Sequence, residues 1–120
     1  MTPMLSTLLV RLSGKGIRVL VTEIAARHGV TIVQIFGKDR HDKIALARHH
    51  VWHALRELDA REWSLPRLGA FFGRHHTTIL QGISSFEFNA GLTTDHAKMY
   101  AAKRSVRKAA HAASRVREVA

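Results

Sequence analysis

Apolar residues recur three and four positions apart along nearly the whole chain, and almost no stretch alternates apolar with polar. That period turns one face of an α-helix toward a core and leaves no amphipathic strand from which to build a sheet. Only two prolines, Pro3 and Pro66, interrupt it, and there is no internal repeat. The fold class that follows is all-α: a compact helical domain containing a helix-turn-helix, with an extra N-terminal helix and a basic C-terminal helix. The 120 residues suit one domain plus a tail, and the 46% hydrophobic content supports a modest core. A domain this small gains from a partner, so a homodimer is one expectation.

Glycine and capping residues divide the chain. Residues 1–14 read as an amphipathic helix and linker, with Leu5, Leu8, Leu9, Val10 and Leu12 as its apolar patch. The body spans 15–91. Its first helix runs from about Ile17 to His28, with Leu20, Ile24 and either Val21 or Arg27 inward, and Gly29 stops it. Thr31 stands three residues before Gln34, a capping-box spacing that predicts a short turn of helix ending at Gly37. A polar loop, GKDRHD, precedes a long helix, about Lys43–Asp59 with Asp42 as its cap. Its apolar stripe is Ile44, Ala47, Val51, Ala54, Leu55 and Leu58. Arg48, Trp52 and Arg56 share the neighbouring face, where Trp52 reads as a flanking core residue. Ser64 caps SLPRLGAFF, Gly73 breaks it, and a helix from about His75 to Phe88 turns Ile79, Ile83 and Phe86 inward up to Gly91. Residues 92–120 form a tail, helical from about Thr93 to Val119, with a weak stripe of Met99, Ala102, Val106, Ala109, Ala113 and Val116.

Charge then narrows the partner. Nineteen Lys and Arg against nine Asp and Glu leave a formal net charge of +10, which calls for a polyanion. Nucleic acid is the first candidate and an anionic membrane surface the second. The absence of cysteine removes disulfides, thiolate zinc sites and a cysteine nucleophile, and fits a reducing cytosol. The N-terminal apolar patch has no basic residue before it, no small-residue cleavage site after it, and is too short to span a bilayer. The expected location is the cytoplasm, at the nucleoid, with no membrane contact.

A short helix, a glycine turn and a helix opening His-His-Thr-Thr have the layout of a helix-turn-helix. Small polar residues at the start of the second helix can reach base edges. Thr77 and Thr78 can each donate or accept a hydrogen bond, and their methyl groups can touch thymine methyls. Arg74 in the turn can pair with a phosphate or a guanine. Lys38, Arg40 and Lys43 around the polar loop, with Arg48 and Arg56 on the long helix, supply phosphate ligands.

The stretch from Ile17 to Phe86 resembles the C-terminal DNA-binding domain, domain IV, of the bacterial replication initiator DnaA. VTEIAARHGV is similar to that family's opening helix, and TIVQIFGKDRHDKIALARHHVWHALREL to its turn, basic loop and long helix. SLPRLGAFFGRHHTTIL resembles its signature, in which Ser-Leu-Pro opens one helix and Asp-His-Thr-Thr the recognition helix. The resemblance implies binding to duplex DNA at short A/T-rich sites of the DnaA-box type, with the replication initiator or its regulators as further partners. It implies that Arg40 enters the minor groove and that His76, Thr77 and Thr78 enter the major groove. It also implies that Leu65 and Pro66 lie against DNA, that Arg48 and Arg56 contact the backbone, and that His49 faces DNA. The chain departs from the family in several places. His75 replaces the signature aspartate, the turn is one glycine shorter, Asp39 and Asp42 enter the basic loop, and two extra residues precede Ser64. The replacement of aspartate by His75 makes that residue a candidate for altered base preference.

Catalysis finds no support in the residues. The family's ATPase module carries GxxxxGK[ST], and Gly14-Lys15-Gly16 lacks both its spacing and its hydroxyl. His49, His53 and Glu57 fall four apart, but ligands lined up along one helix do not easily converge on one ion, and HHVWH lacks the glutamate of HExxH. The expectation is a regulator of replication initiation or transcription with no enzymatic activity, metal or cofactor. A non-specific nucleoid-type or RNA-binding protein is the alternative. It accounts for the charge but not for the His-Thr-Thr signature.

Overall fold

The computed structural model describes residues 3–119, with side chains described for residues 4–110. Among the described residues seven helices follow one another: α1 (Pro3–Gly14), α2 (Arg18–His28), α3 (Ile32–Phe36), α4 (Asp42–Leu58), α5 (Leu65–Phe72), α6 (His76–Asn89) and α7 (Asp95–Val119). The described residues contain no strand, and the chain is all-α. No described helix is long and apolar enough to cross a membrane.

Local chemistry sets the helix ends. The Thr31 hydroxyl accepts from the Gln34 amide and the Gln34 side chain accepts from the Thr31 amide, so the capping box is complete. Gly29 and Gly73 close α2 and α5 with left-handed backbones, φ +66° and +67°, which a side chain would strain. The start of α4 differs from expectation by one residue. Asp39 accepts from the His41 amide, His41 caps the helix through Nδ1, and Asp42 becomes its first helical residue. Its end also differs: Leu58 is 61% exposed, because α4 stops there and Asp59 turns the chain away.

One core joins α1 to α6. Ile44, Ala47, Val51 and Leu55 of α4 are buried, as are Val21, Ile24, Ile79 and Ile83. In α2 the structure selects Val21 over Arg27, which is exposed. Trp52 is fully enclosed, packed edge-on against Phe72. It can be enclosed because α6 carries Gly82 opposite it. A Cβ there would lie 2.6 Å from both the Trp52 ring and His49. Leu8 and Leu12 of α1 enter the same core, while Met4 and Val10 remain exposed. Burying two leucines contributes several kcal/mol, at about 1.5–3 each. Arg11 adds a tie to α5: its guanidinium lies over the Phe71 ring and donates to the Phe71 carbonyl at 2.6 Å. The N-terminal helix therefore braces the first helix of the helix-turn-helix. Ala113 and Val116 of the expected tail stripe lie outside the described side chains.

Candidate nucleic-acid interface

The helix-turn-helix is α5, a three-residue turn and α6. Ser64 caps α5 by accepting from the Arg67 amide at 3.3 Å, and Pro66 occupies a first-turn position whose amide needs no acceptor. After Gly73 the Arg74 amide returns to the Gly69 carbonyl at 2.8 Å. Gly69 makes that return possible, since a Cβ there would stand 2.5 Å from the Arg74 carbonyl oxygen. His75 then caps α6. Its Nδ1 accepts from the Thr77 amide at 3.2 Å and lies 2.8 Å from the Thr77 hydroxyl. In that role the ring does what a capping aspartate does, and Nδ1 as acceptor puts the neutral ring's proton on Nε2. Ile79 and Ile83 anchor α6, leaving His76, Thr77, Thr78 and Gln81 exposed at its N-terminal end. Gln81 was missed in the sequence. It shares a face with Thr77 and Thr78 by the three-four rule, a signal that was available.

The basic loop lies beside this end and is held from within. Arg48 was expected on phosphate but is buried. Its Nε donates to the Ile35 carbonyl at 2.8 Å, and its Nη2 lies 2.9 Å from the carbonyls of Gln34 and Gly37 and 3.1 Å from that of Asp39. Burial, then the neighbouring Arg74, pull its pKa below the ordinary arginine value, against the opposing effect of Asp39. Arg74 is half-buried and donates to the carbonyls of Gly37 and Phe72. Both guanidinium groups therefore satisfy carbonyls at the end of α3, in the loop after it and at the end of α5. With the backbone pinned, Lys38 and Arg40 are exposed, and Lys43 is exposed with its ammonium folded over Gly29.

The remaining expected contacts separate. Leu65 is half-buried and Pro66 exposed at the start of α5. Arg56 is corrected: it donates to the Trp63 carbonyl at 3.1 Å and stands with Glu87 and Thr94 toward the C-terminal end of α6, away from Thr77. His49 is half-enclosed between Trp52 and Gly82, at the edge of a cleft of about 330 Å³ that Thr78 and Gln81 also line. Burial, then Arg48, push its pKa down to about 4, so it is neutral at pH 7. His53, Glu57 and Glu87 bring ligand atoms within 4.8 Å of one another, a grouping across two helices that excludes His49. Its carboxylate is already engaged. Glu87 accepts from His53 Nδ1 at 3.0 Å and from the Thr94 hydroxyl at 2.5 Å, which docks α4, α6 and α7 together.

Burial of His28, His49 and His50 should make the fold acid-labile. His28 and His50 meet at 2.9 Å, and burial is the first cause that depresses both. A depressed imidazole leaves the unfolded chain holding more protons, so stability is full above about pH 6.5 and falls as pH drops through the folded values. His49 alone, at about 4 against 6.5, costs on the order of 2–3 kcal/mol across that window. Urea midpoints measured from pH 7.5 to 4 should fall steeply below 6.5, and His49→Gln should flatten the slope. A flat profile in the parent protein would contradict the burial of these rings.

Comparison with known proteins agrees with this arrangement. Residues 17–85, more than half of the chain, match the family described as the bacterial dnaA protein helix-turn-helix. A relative, the chromosomal replication initiator protein DnaA of Deinococcus radiodurans, is 32% identical over 72 residues. That alignment covers 60% of this chain and 15% of the relative, so the chain spans a small part of the initiator's length. No solved structure matches. With its capped α6, glycine-closed turn and matched segment, the chain belongs to the bacterial DnaA helix-turn-helix family.

Proposed function

We propose that the chain binds duplex DNA sequence-specifically at A/T-rich, DnaA-box-like sites and regulates replication initiation or transcription without catalysis. Family membership supports DNA binding. The observation that carries the finer reading is the Arg74–Gly37 hydrogen bond, which ties the helix-turn-helix to the basic loop. It holds the end of α6 with the exposed His76, Thr77, Thr78 and Gln81 beside the loop that carries the exposed Arg40, an arrangement suited to simultaneous major- and minor-groove reading. Thr77, Thr78 and Gln81 offer hydrogen bonds to base edges, with glutamine suited to adenine. Arg40 suits the negative potential of a narrow A/T minor groove. Lys38 and Lys43 supply nearby charge for phosphate, while Arg48 is buried and the half-buried Arg56 and Arg74 hold backbone carbonyls. The proposed activity belongs to the nucleoid, in the cytoplasm, with the replication initiator as a neighbour at shared sites.

Selection from randomised duplexes tests this directly. The parent should return an A/T-rich consensus. Arg40→Ala should lose A/T preference at one end, and Thr78→Ala should relax a position in the middle, each costing about 1–3 kcal/mol of discrimination. A parent that enriches no sequence would favour the non-specific nucleoid-type or RNA-binding reading, to which the net charge of +10 also lends itself.

A further inference from the structure

The long basic helix α7 is not used by the reading above, yet it packs against the recognition helix. Gly91, at φ +76°, and the Leu92 amide returning to the Glu87 carbonyl reverse the chain after α6. Thr94 caps the new helix by accepting from the Ala97 amide, and its hydroxyl donates to Glu87. Contacts then step toward the start of α6 as α7 proceeds. His96 lies near Glu87, Tyr100 packs on Phe88, Lys103 lines a pocket with Thr77 and Gln81, and Arg107 lines a cleft with Thr78 and His49. The two helices are antiparallel. With 25 residues against 14, α7 spans about 37 Å against about 21 Å and overshoots the reading end of α6. The molecule is correspondingly elongated, 58 Å along one axis against 29 and 24 Å.

Beyond its docked first turns α7 ceases to act as a core helix. Ala97 is buried, but every residue from Ala102 to Ala110 is exposed. That stretch carries Lys103, Arg104, Arg107 and Lys108 with no acidic residue among them. None of the four has an acidic partner among the described residues; Arg104 lies over the Phe88 ring. Of these four cations only Arg104 has a contact inside the protein among the described residues, and Lys103, Arg104 and Arg107 stand beside the exposed threonines.

We propose that α7 is a second DNA-contacting element, whose Lys103, Arg104, Arg107 and Lys108 grip the phosphate ridge flanking the groove that α6 reads. This rests on the proposed duplex reading. Packed helices lie about 8–10 Å apart axis to axis, whereas the major groove is about 12 Å wide. Only one of the pair fits inside the groove. With α6 in it, α7 lies over the phosphate ridge at its edge. The cleft between them is lined by Thr78 and Gln81 on one side and Lys103, Arg104 and Arg107 on the other, so base contact and phosphate contact are continuous. The resulting site extends past the base pairs under the helix-turn-helix on one flank.

The test uses the full chain and a fourfold variant combining Lys103→Gln, Arg104→Gln, Arg107→Gln and Lys108→Gln, all at exposed positions and all compatible with helix. The variant should select the same consensus, and its log affinity should fall with log salt less steeply, by about 3.6, at roughly 0.9 per lost phosphate contact. Its footprint should contract on one flank only, and lengthening the duplex on that flank should tighten binding of the parent alone. Equal slopes and footprints for two proteins that select one consensus would overturn the role of α7. Failure of the parent to select any consensus would instead bring down the duplex reading beneath it. Co-sedimentation with phosphatidylserine-containing vesicles adds a further arm. Vesicle binding lost in the variant while its DNA slope stays unchanged would overturn the proposal in favour of a membrane surface.

Discussion

Arg48→Ala should lower the unfolding free energy by about 3 kcal/mol, well beyond the range of a surface charge. The guanidinium makes contacts with the carbonyls of Gln34, Ile35, Gly37 and Asp39, and hydrogen bonds to a charged donor contribute about 1.5–3 kcal/mol each when removed. Loop carbonyls that regain water offset part of that sum. Arg48→Lys should recover less than half, because one ammonium cannot reproduce a planar fork of donors. Specific DNA binding should fall together with stability, since the unpinned loop no longer presents Arg40. Urea unfolding separates this account from the phosphate role that the sequence suggested. A phosphate ligand, once removed, would leave the midpoint unchanged and reduce the salt slope by about one.

Gly69→Ala should abolish selective DNA binding and cost about 2–3 kcal/mol of stability. Its Cβ would meet the Arg74 carbonyl oxygen at 2.5 Å, and the obstacle is backbone, so no rotamer change relieves it. Either α5 or the turn must move, and α6 moves with the turn that caps it. Gly73→Ala provides the contrast. That position has open space around it and carries only the left-handed φ of +67°, a penalty of about 1–2 kcal/mol that leaves the helices in place. The pair of variants should therefore diverge in binding more than in stability. Retention of full selectivity by Gly69→Ala would show that the spacing of α5 and α6 does not control recognition.

His75 shows how a departure from a family pattern can preserve its structural job. The expectation that this residue alters base preference rested on its hydrogen-bonding edges. In the folded chain one of those edges, Nδ1, is taken by the Thr77 amide as the helix cap. Aspartate caps by the same geometry, so the substitution keeps α6 in place and leaves only Nε2 free to differ toward DNA.

The sequence by itself determined the helical class, the glycine stops of α2, α3 and α5, and the helix-turn-helix. These depend on residues within about four positions of one another: a hydroxyl reaching an amide three residues on, a glycine accepting a positive φ, apolar side chains repeating on one face. Tertiary structure alone decided which cations face outward. Arg48 finds its carbonyls 9 to 14 residues away, and Arg74 finds Gly37 across 37 residues. An arginine facing solvent and an arginine closing a loop read alike in a string of letters, because the acceptors that distinguish them arrive only when α3, α4 and the turn before α6 come together. The path of α7 belongs to the same class. Its composition announced a basic helix, but its antiparallel course along α6 follows from the Gly91 reversal and from Glu87, which holds His53 and Thr94 from two other parts of the chain.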